Sequence, residues 1–277
     1  MKLESVAGRT VLVTGAAMGL GKLFATTAVR ERAAAVVLWD INEAALKETA
    51  AELTELGGTV HYNVVDVSSQ EAITEAAAAV RAEVGDIDIL VNNAGIVRGN
   101  QYFWETTNRA DIEKTMAINS LAPMWITLEF LPAMVASKSP SRVLNIASSA
   151  GLVSNPRMSV YAASKWAAIG WSDSVRIELE QAGHEHVKIT TVCPTYIDTG
   201  MFDGAKGFWF TPILKQDAVV ETSWTQMKAG TPVLVLPWTS RFNKALSGLL
   251  PIRARDLFLN TVGVYRSMDH FTGRKES

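Results

Sequence analysis

The eight residues Thr14 to Gly21, TGAAMGLG, constrain the fold of this chain more than any other stretch. They join a short β-branched run to the start of a helical pattern. Gly15, Gly19 and Gly21 let the backbone turn tightly and let an anion approach the main chain closely. The helix that follows presents free N–H groups and the positive end of its dipole to that anion. With Met18 and Leu20 set among the glycines, the segment reads as a cradle for a pyrophosphate. An ordinary glycine-rich βα turn has the same composition. Position favours the cradle, because this turn closes the first strand and opens the first helix.

The rest of the chain alternates in the way such a turn requires. Runs at Thr10–Thr14, Ala35–Trp39, Gly58–Val64, Ile87–Val91, Arg142–Ile146 and Lys188–Val192 read as buried strands. Helical patterns lie between them at Leu20–Arg32, Glu43–Leu56, Gln70–Val84, Asp111–Ala136 in one or two pieces, and Val160–Gln181. The expected fold is α/β: a single-domain Rossmann fold over 1–277, its parallel sheet doubly wound with helices on both faces. After Thr199 the periodicity lapses. Met201–Ile213, MFDGAKGFWFTPI, reads as a loop or lid within a substrate lid spanning 200–230. A short helix at Gln216–Lys228 and a strand at Val233–Leu236 follow. The C-terminal extension, 237–277, contains an amphipathic stretch from Trp238 to Phe258 with Arg241, Lys244, Arg253 and Arg255.

Composition excludes several classes. A net charge of −2 and a hydrophobic fraction of 48% suit a full globular core and give no footprint for nucleic acid. The single cysteine, Cys193, cannot form an intrachain disulfide, so a reducing, cytoplasmic setting is expected. The N-terminal MKLESVAGRTVLVTG lacks the long apolar region of a signal peptide. No stretch approaches the ~20 apolar residues that span a bilayer. No metal-ligand cluster stands out.

Asp40 ends the second strand, 19 residues after Gly21. A carboxylate there can accept hydrogen bonds from both adenosine ribose hydroxyls and repels a 2′-phosphate. Neither Met18 nor Ile41 beside it is basic, so NAD is favoured over NADP; a simple turn cap is the alternative. Asp66, followed by Val67 in VDVS, is placed to meet the adenine amino group. Asn92 in NNAG can tie neighbouring strands, while Ala94 and Gly95 leave room for a flat cofactor.

Tyr161 and Lys165, in YAASK, stand four residues apart on one helix face. A free phenol titrates near ~10, too high for an efficient base at neutral pH. A nearby ammonium and a positive nicotinamide ring would lower it. Ser148 could hold a substrate oxygen against the phenol, and Lys165 could also reach ribose hydroxyls. Asn119 could kink its helix and hold a proton-relaying water. Singly, each residue has a bland reading as packed aromatic, solvated charge, cap or turn. Their order along the chain, after the cradle and the acidic strand end, favours hydride transfer between an alcohol and a nicotinamide.

Through TGAAMGLG, Asp40, NNAG, Asn119, Ser148 and YAASK, the chain resembles the short-chain dehydrogenase/reductase superfamily over nearly its whole length. The resemblance implies the catalytic set Asn119, Ser148, Tyr161 and Lys165. It also implies a nicotinamide loop at Pro194–Thr199, PTYIDT, with contacts from Pro194, Ile197 and Thr199; Thr195 stands where many members have glycine. NSLAPMW, LEFLPAM, CPTYIDTGMFDG and VYRSMDHFTGRK look like the branch of retinol dehydrogenases and 17β-hydroxysteroid dehydrogenase-like enzymes. Several animal members carry an N-terminal membrane anchor, whereas this chain opens at its first strand, so a soluble relative acting on hydrophobic alcohols or ketones is expected. Family resemblance further suggests a homodimer or homotetramer through residues 111–136 and 160–181. Val153, Pro156, Met158, Met201, Phe202, Phe208, Trp209 and Phe210 are the expected substrate contacts, with packing of the lid an equal alternative. A non-catalytic NAD-binding sensor and a peripheral lipid-associated protein remain competing readings. For the latter, Pro237 and Pro251 argue against one long surface helix.

Overall fold

The structure is a computed structural model that describes residues 2–99, 101–201, 204, 212–269 and 271. Its seven strands form one parallel sheet: β1 (Thr10–Thr14), β2 (Ala35–Asp40), β3 (Val60–Val64), β4 (Ile89–Asn92), β5 (Ser141–Ile146), β6 (Val187–Pro194) and β7 (Val233–Leu236). Their spatial order is β3-β2-β1-β4-β5-β6-β7, every neighbour parallel. The chain winds outward from β1 to β3, then returns to place β4 on the other side of β1. Crossovers therefore leave β1 in opposite directions and open a crevice at the carboxyl ends of β1 and β4.

Strand alternation sends successive side chains to opposite faces. Val11, Val13, Val36 and Leu38 pack on one face under α1 (Gly19–Arg30), α2 (Glu43–Glu55) and α7 (Gln216–Ala229), through Phe24, Leu46, Leu53, Trp224 and Met227. Leu12, Val37 and Trp39 face the other side. There Ile73 and Val80 of α3 (Gln70–Glu83), Ile126, Phe130 and Met134 of α5 (Ala122–Ser137) and Leu179 of α6 (Ser159–Gln181) cover them. Both faces are covered, which is why the strands read as continuous apolar runs.

The pattern expected over Asp111–Ala136 is α4 (Arg109–Met116) and α5, joined by one wider π turn at Ala117–Leu121. By length and composition the whole run Arg109–Ser137 could cross a bilayer, contrary to the expectation that no stretch comes near that. Ile118, Ala122, Ile126, Phe130 and Met134 are nevertheless buried on the sheet, as in a core helix. At the C-terminal end the prolines mark helix boundaries. Pro237 precedes α8 (Trp238–Leu249) and Pro251 precedes α9 (Ile252–Thr261). Phe202, Phe208, Trp209 and Phe210 lie outside the described residues.

Candidate active site

The crevice holds a cleft of about 430 Å³, which runs from the ends of β1, β2 and β3 to those of β5 and β6. Its walls were assembled from sequence-distant turns, and most of the expected residues meet there. Gly15, Met18, Gly19, Leu20, Asp40, Ile41, Asp66 and Val67 line one end. Ala94, Gly95, Ser148, Tyr161, Lys165, Pro194, Ile197, Thr199 and Met201 line the other.

At the first end the glycines are sterically required. Gly15 has φ +63°, and a Cβ on it would come 2.9 Å from the Ala94 Cα. A Cβ on Gly21 would collide with the Gly15 carbonyl oxygen, so α1 can seat directly on the turn. Asn42 and Ser69 cap α2 and α3, each with a glutamate in the first turn, whereas α1 has neither a side-chain cap nor an acid there. Its first N–H groups and dipole end are left for an anion. The site fits a dinucleotide pyrophosphate.

Asp40 is held at the end of β2 by the backbone N–H of Ala17 at 3.0 Å and that of Asn42 at 3.0 Å. The turn-capping reading and the ligand reading are thus compatible, since each oxygen keeps a free lone pair. Asp66 accepts from the Ser68 amide at 2.9 Å and hydroxyl at 2.6 Å. Burial works to raise its pKa, but the Ser68 bonds and the charge of Lys114 outweigh it and hold the carboxyl below its ordinary value. Lys114 and Arg98 both line the cleft, and Asn93 lines it while donating to the Thr14 and Gly15 carbonyls at 3.0 and 3.1 Å. None of the three was among the expected site residues, although Asn93 lies within NNAG and Arg98 stands three residues after it.

Asn92 does not line the cleft. Its amide donates to Asn145 at 2.8 Å and Thr127 at 3.1 Å, tying β4 to β5 and α5. Of the two roles read for it, strand-tying is the one its placement serves. Asn119 also lies behind the cleft, at the centre of the π turn. Its amide clamps Ile96, accepting from the N–H and donating to the carbonyl, each at 2.9 Å. A Cβ on Gly95 would lie 3.3 Å from Asn119 Oδ1 and 3.6 Å from Lys165 Nζ, so the missing side chain keeps those groups adjacent.

At the second end, Ser148 follows β5 and its hydroxyl bonds the Tyr161 phenol. It also caps the short turn Ser149–Gly151 by accepting from the Ala150 N–H at 3.2 Å. One helical turn beyond Tyr161, the Lys165 ammonium lies 5.7 Å from the phenol ring centroid and donates to the Ile146 carbonyl at 3.1 Å. Burial pushes Tyr161 up to about 12, against the Ser148 bond, with Tyr196 adding to the rise. Burial also drops Lys165 to about 8, with Cys193 opposing. The lowered tyrosine expected from sequence is therefore not a property of the chain alone, because desolvation outweighs the Ser148 hydrogen bond.

Lys165 consequently burdens the fold near neutral pH. Between about 8 and its ordinary 10.5 the unfolded chain holds a proton that the folded chain has released, so stability contributed here rises with pH. Below 8 both states are protonated and the burial cost is complete. Lys165→Met is expected to be more stable than the native chain at pH 7 by about 1–2 kcal/mol. The gap should narrow as pH rises toward 10.5. Urea unfolding across a pH series measures it, and a pH-independent gap would refute the burial account.

Met158, expected to touch substrate, is 2% exposed and sits behind the phenol in a cluster with Ala150, Tyr161, Tyr196 and Met268. Val97 and Phe271 pack on the same cluster. Val153 and Pro156 are half-buried and outside the cleft lining. The Tyr196 hydroxyl shares a 2.7 Å bond with Ser267, bringing the C-terminal segment onto this wall. Arg157 pairs with Asp269 at 3.6 Å and lies 4.6 Å from the Tyr102 ring centroid. No local pattern announces Met268 or Phe271, since their partners lie more than seventy residues upstream.

A doubly wound sheet with a glycine-lined anion cradle at one end of its cleft and a buried serine–tyrosine–lysine group at the other has the form of a dehydrogenase. The chain belongs to the short chain dehydrogenase family, whose model matches residues 9–206. It is similar to human estradiol 17-beta-dehydrogenase 11, 38% identical over 250 residues that cover 90% of this chain and 82% of the relative. It is also similar to human epidermal retinol dehydrogenase 2, 37% identical over 276 residues covering 99% and 88%. The branch expected from sequence is thus the one observed. Among solved structures, a Burkholderia phymatum short chain dehydrogenase/reductase in complex with NAD shares the fold with a TM-score of 0.80 at 23% identity, covering 92% of this chain and 96% of that one. A metagenomic short-chain oxidoreductase in complex with NADP aligns with a TM-score of 0.69 at 28% identity, covering 84% and 97%.

Proposed function

We propose that this oxidoreductase is NAD-dependent and interconverts hydrophobic alcohols with their carbonyl compounds. The carrying observation is the Tyr161 phenol, bonded to Ser148 and one helical turn from Lys165 at the end of the cleft. A bound nicotinamide would supply the hydride acceptor for the alcohol carbon and the hydride donor for the carbonyl. Gly15, Met18, Gly19, Leu20 and Gly21 would hold the pyrophosphate, Asp40 and Ile41 the adenosine ribose, and Asp66 and Val67 the adenine. Pro194, Ile197 and Thr199 would hold the carboxamide.

The chain's own residues manage the proton. Ser148 aligns the substrate oxygen, and Tyr161 takes its proton during oxidation or returns one during reduction. Lys165 supplies positive charge beside the phenolate and reaches toward the ribose hydroxyls. Asn119 positions the Ile96 backbone beside Lys165. Met201, Ala147 and Ile197 at the Tyr161 end of the cleft favour a substrate without charge. A spectrophotometric screen of secondary, cyclic, long-chain, steroid and retinoid alcohols with NAD and NADP tests the proposal. No reduction of either dinucleotide by any of these alcohols would overturn it.

Preference for NAD rests on Asp40. Its carboxylate stands between Met18 and Ile41, which are 39% and 59% exposed and bring no cation to a 2′-phosphate. Asp40→Ala should narrow the ratio of kcat/KM for NAD over NADP by about one to two orders of magnitude. A variant that rejects NADP as strongly as the native chain removes the ribose argument. We further propose a cytoplasmic homo-oligomer joined through α5 and α6, where Leu128 and Trp166 are 69% and 52% exposed.

A further inference from the structure

An amphipathic surface helix of a soluble protein turns its apolar stripe inward. In α8 the stripe faces out. Trp238, Phe242, Ala245 and Leu249 follow each other at steps of four, three and four residues and so share one face. Trp238 is 74% exposed, Phe242 60% and Leu249 81%, whereas the small polar Ser240 is buried. Ala245 is exposed as well. Past Pro251 the run continues in α9 with Ile252 at 68% and Leu257 at 70%.

Charge is distributed just as unevenly. From Pro237 to Arg255 the chain carries Arg241, Lys244, Arg253 and Arg255 and no aspartate or glutamate, although its net charge is −2. Arg241 and Arg253 are exposed, and Arg255 is paired with Asp256 at 2.8 Å. We propose that this outward face of α8 and α9 docks on an anionic lipid bilayer. The aromatic and aliphatic tips enter the headgroup–acyl boundary, and the arginines meet lipid phosphates and carboxylates. A second copy of the same face is a poorer occupant, because a twofold contact would set Arg241 and Arg253 against their own copies, while the one nearby acid, Asp256, is already paired with Arg255.

Co-sedimentation of the full chain with phosphatidylcholine vesicles, with and without phosphatidylserine, tests the proposal. The native chain is expected to bind the serine-containing vesicles about tenfold more tightly or better, and added salt should weaken that binding. Charge reversal at Arg241→Glu and Arg253→Glu should remove the preference. Trp238→Ser, Phe242→Ser and Leu249→Ser together should lower binding by about tenfold or more while leaving the melting temperature within a few degrees, since these side chains are exposed. A native chain that stays in the supernatant with both vesicle types overturns the proposal. So does a triple variant that binds like the native chain. A triple variant whose mass in sedimentation equilibrium is smaller than that of the native chain makes this face a contact between copies and overturns it too.

Discussion

Tyr161→Phe is expected to lower turnover by about three orders of magnitude or more, while the Kd for the dinucleotide changes by less than about threefold. Only a hydroxyl is lost. The ring stays packed among Ala150, Met158, Tyr196 and Met268, so neither the wall nor the cradle has reason to move. Ser148 keeps its bond from the Ala150 N–H. What disappears is the group that exchanges a proton with the substrate oxygen. The native pH dependence carries the same signature. Burial, opposed by the Ser148 bond, places the phenol at about 12, and a bound positive nicotinamide would favour the phenolate. Oxidation should therefore speed up as pH rises toward an apparent value below 12, and carbonyl reduction should slow over the same range. Stopped-flow binding and steady-state profiles in both directions measure this. A variant retaining a tenth or more of native turnover would end the assignment of Tyr161 as the proton-transfer group.

Arg142→Met should cost about 1–3 kcal/mol of stability, roughly a 2–12 °C fall in Tm for a domain of this size. Arg142 is fully buried at the start of β5. Its guanidinium donates to the carbonyls of Met227 at 3.0 Å and Lys228 at 3.2 Å in the last turn of α7. It also donates to the Ser141 carbonyl at 2.8 Å and the His186 carbonyl at 3.4 Å. One side chain thus adds positive charge to the negative end of α7 and ties it to the middle of the sheet. Methionine keeps the shape of the stem but removes the second donor from carbonyls that retain backbone partners: Gly230 on Met227, Leu3 on Lys228 and Ser141 on His186. The sign follows from losing several charge-assisted hydrogen bonds at once, offset in part because a buried charge is removed with them. Denaturant unfolding with an unchanged m-value is the measurement. A loss under about 1 kcal/mol would mean that water or a neighbour replaces the guanidinium.

What the sequence made legible was local. A glycine turn between a buried strand and a helix, an acid at the end of β2, and a tyrosine and lysine four residues apart each carry their geometry within one element. Boundaries drifted where strand character faded. The third strand starts at Val60, and Gly58 belongs to the turn before it, its amide bonded to the Leu53 carbonyl at 3.0 Å. The π turn was visible only as an expected kink at Asn119, because its cause is the clamp on Ile96, 23 residues upstream. Arg142 looked like the opening of a strand and proved to cap a helix 85 residues downstream. Lys114 gave no signal at all: on a helix pattern it is one more surface cation, and only the winding of the sheet brings it beside Asp66.

Sheet and cradle are complete once the chain reaches Leu236, yet the wall behind Tyr161 waits for Ser267, Met268 and Phe271. The anion cradle and the backing of Tyr161 therefore come from distant segments, and part of that backing lies beyond the matched family region, which stops at residue 206. Exchanges at Met268 or Phe271 are expected to alter the packing behind Tyr161 without touching Gly15, Gly19 or Asp40.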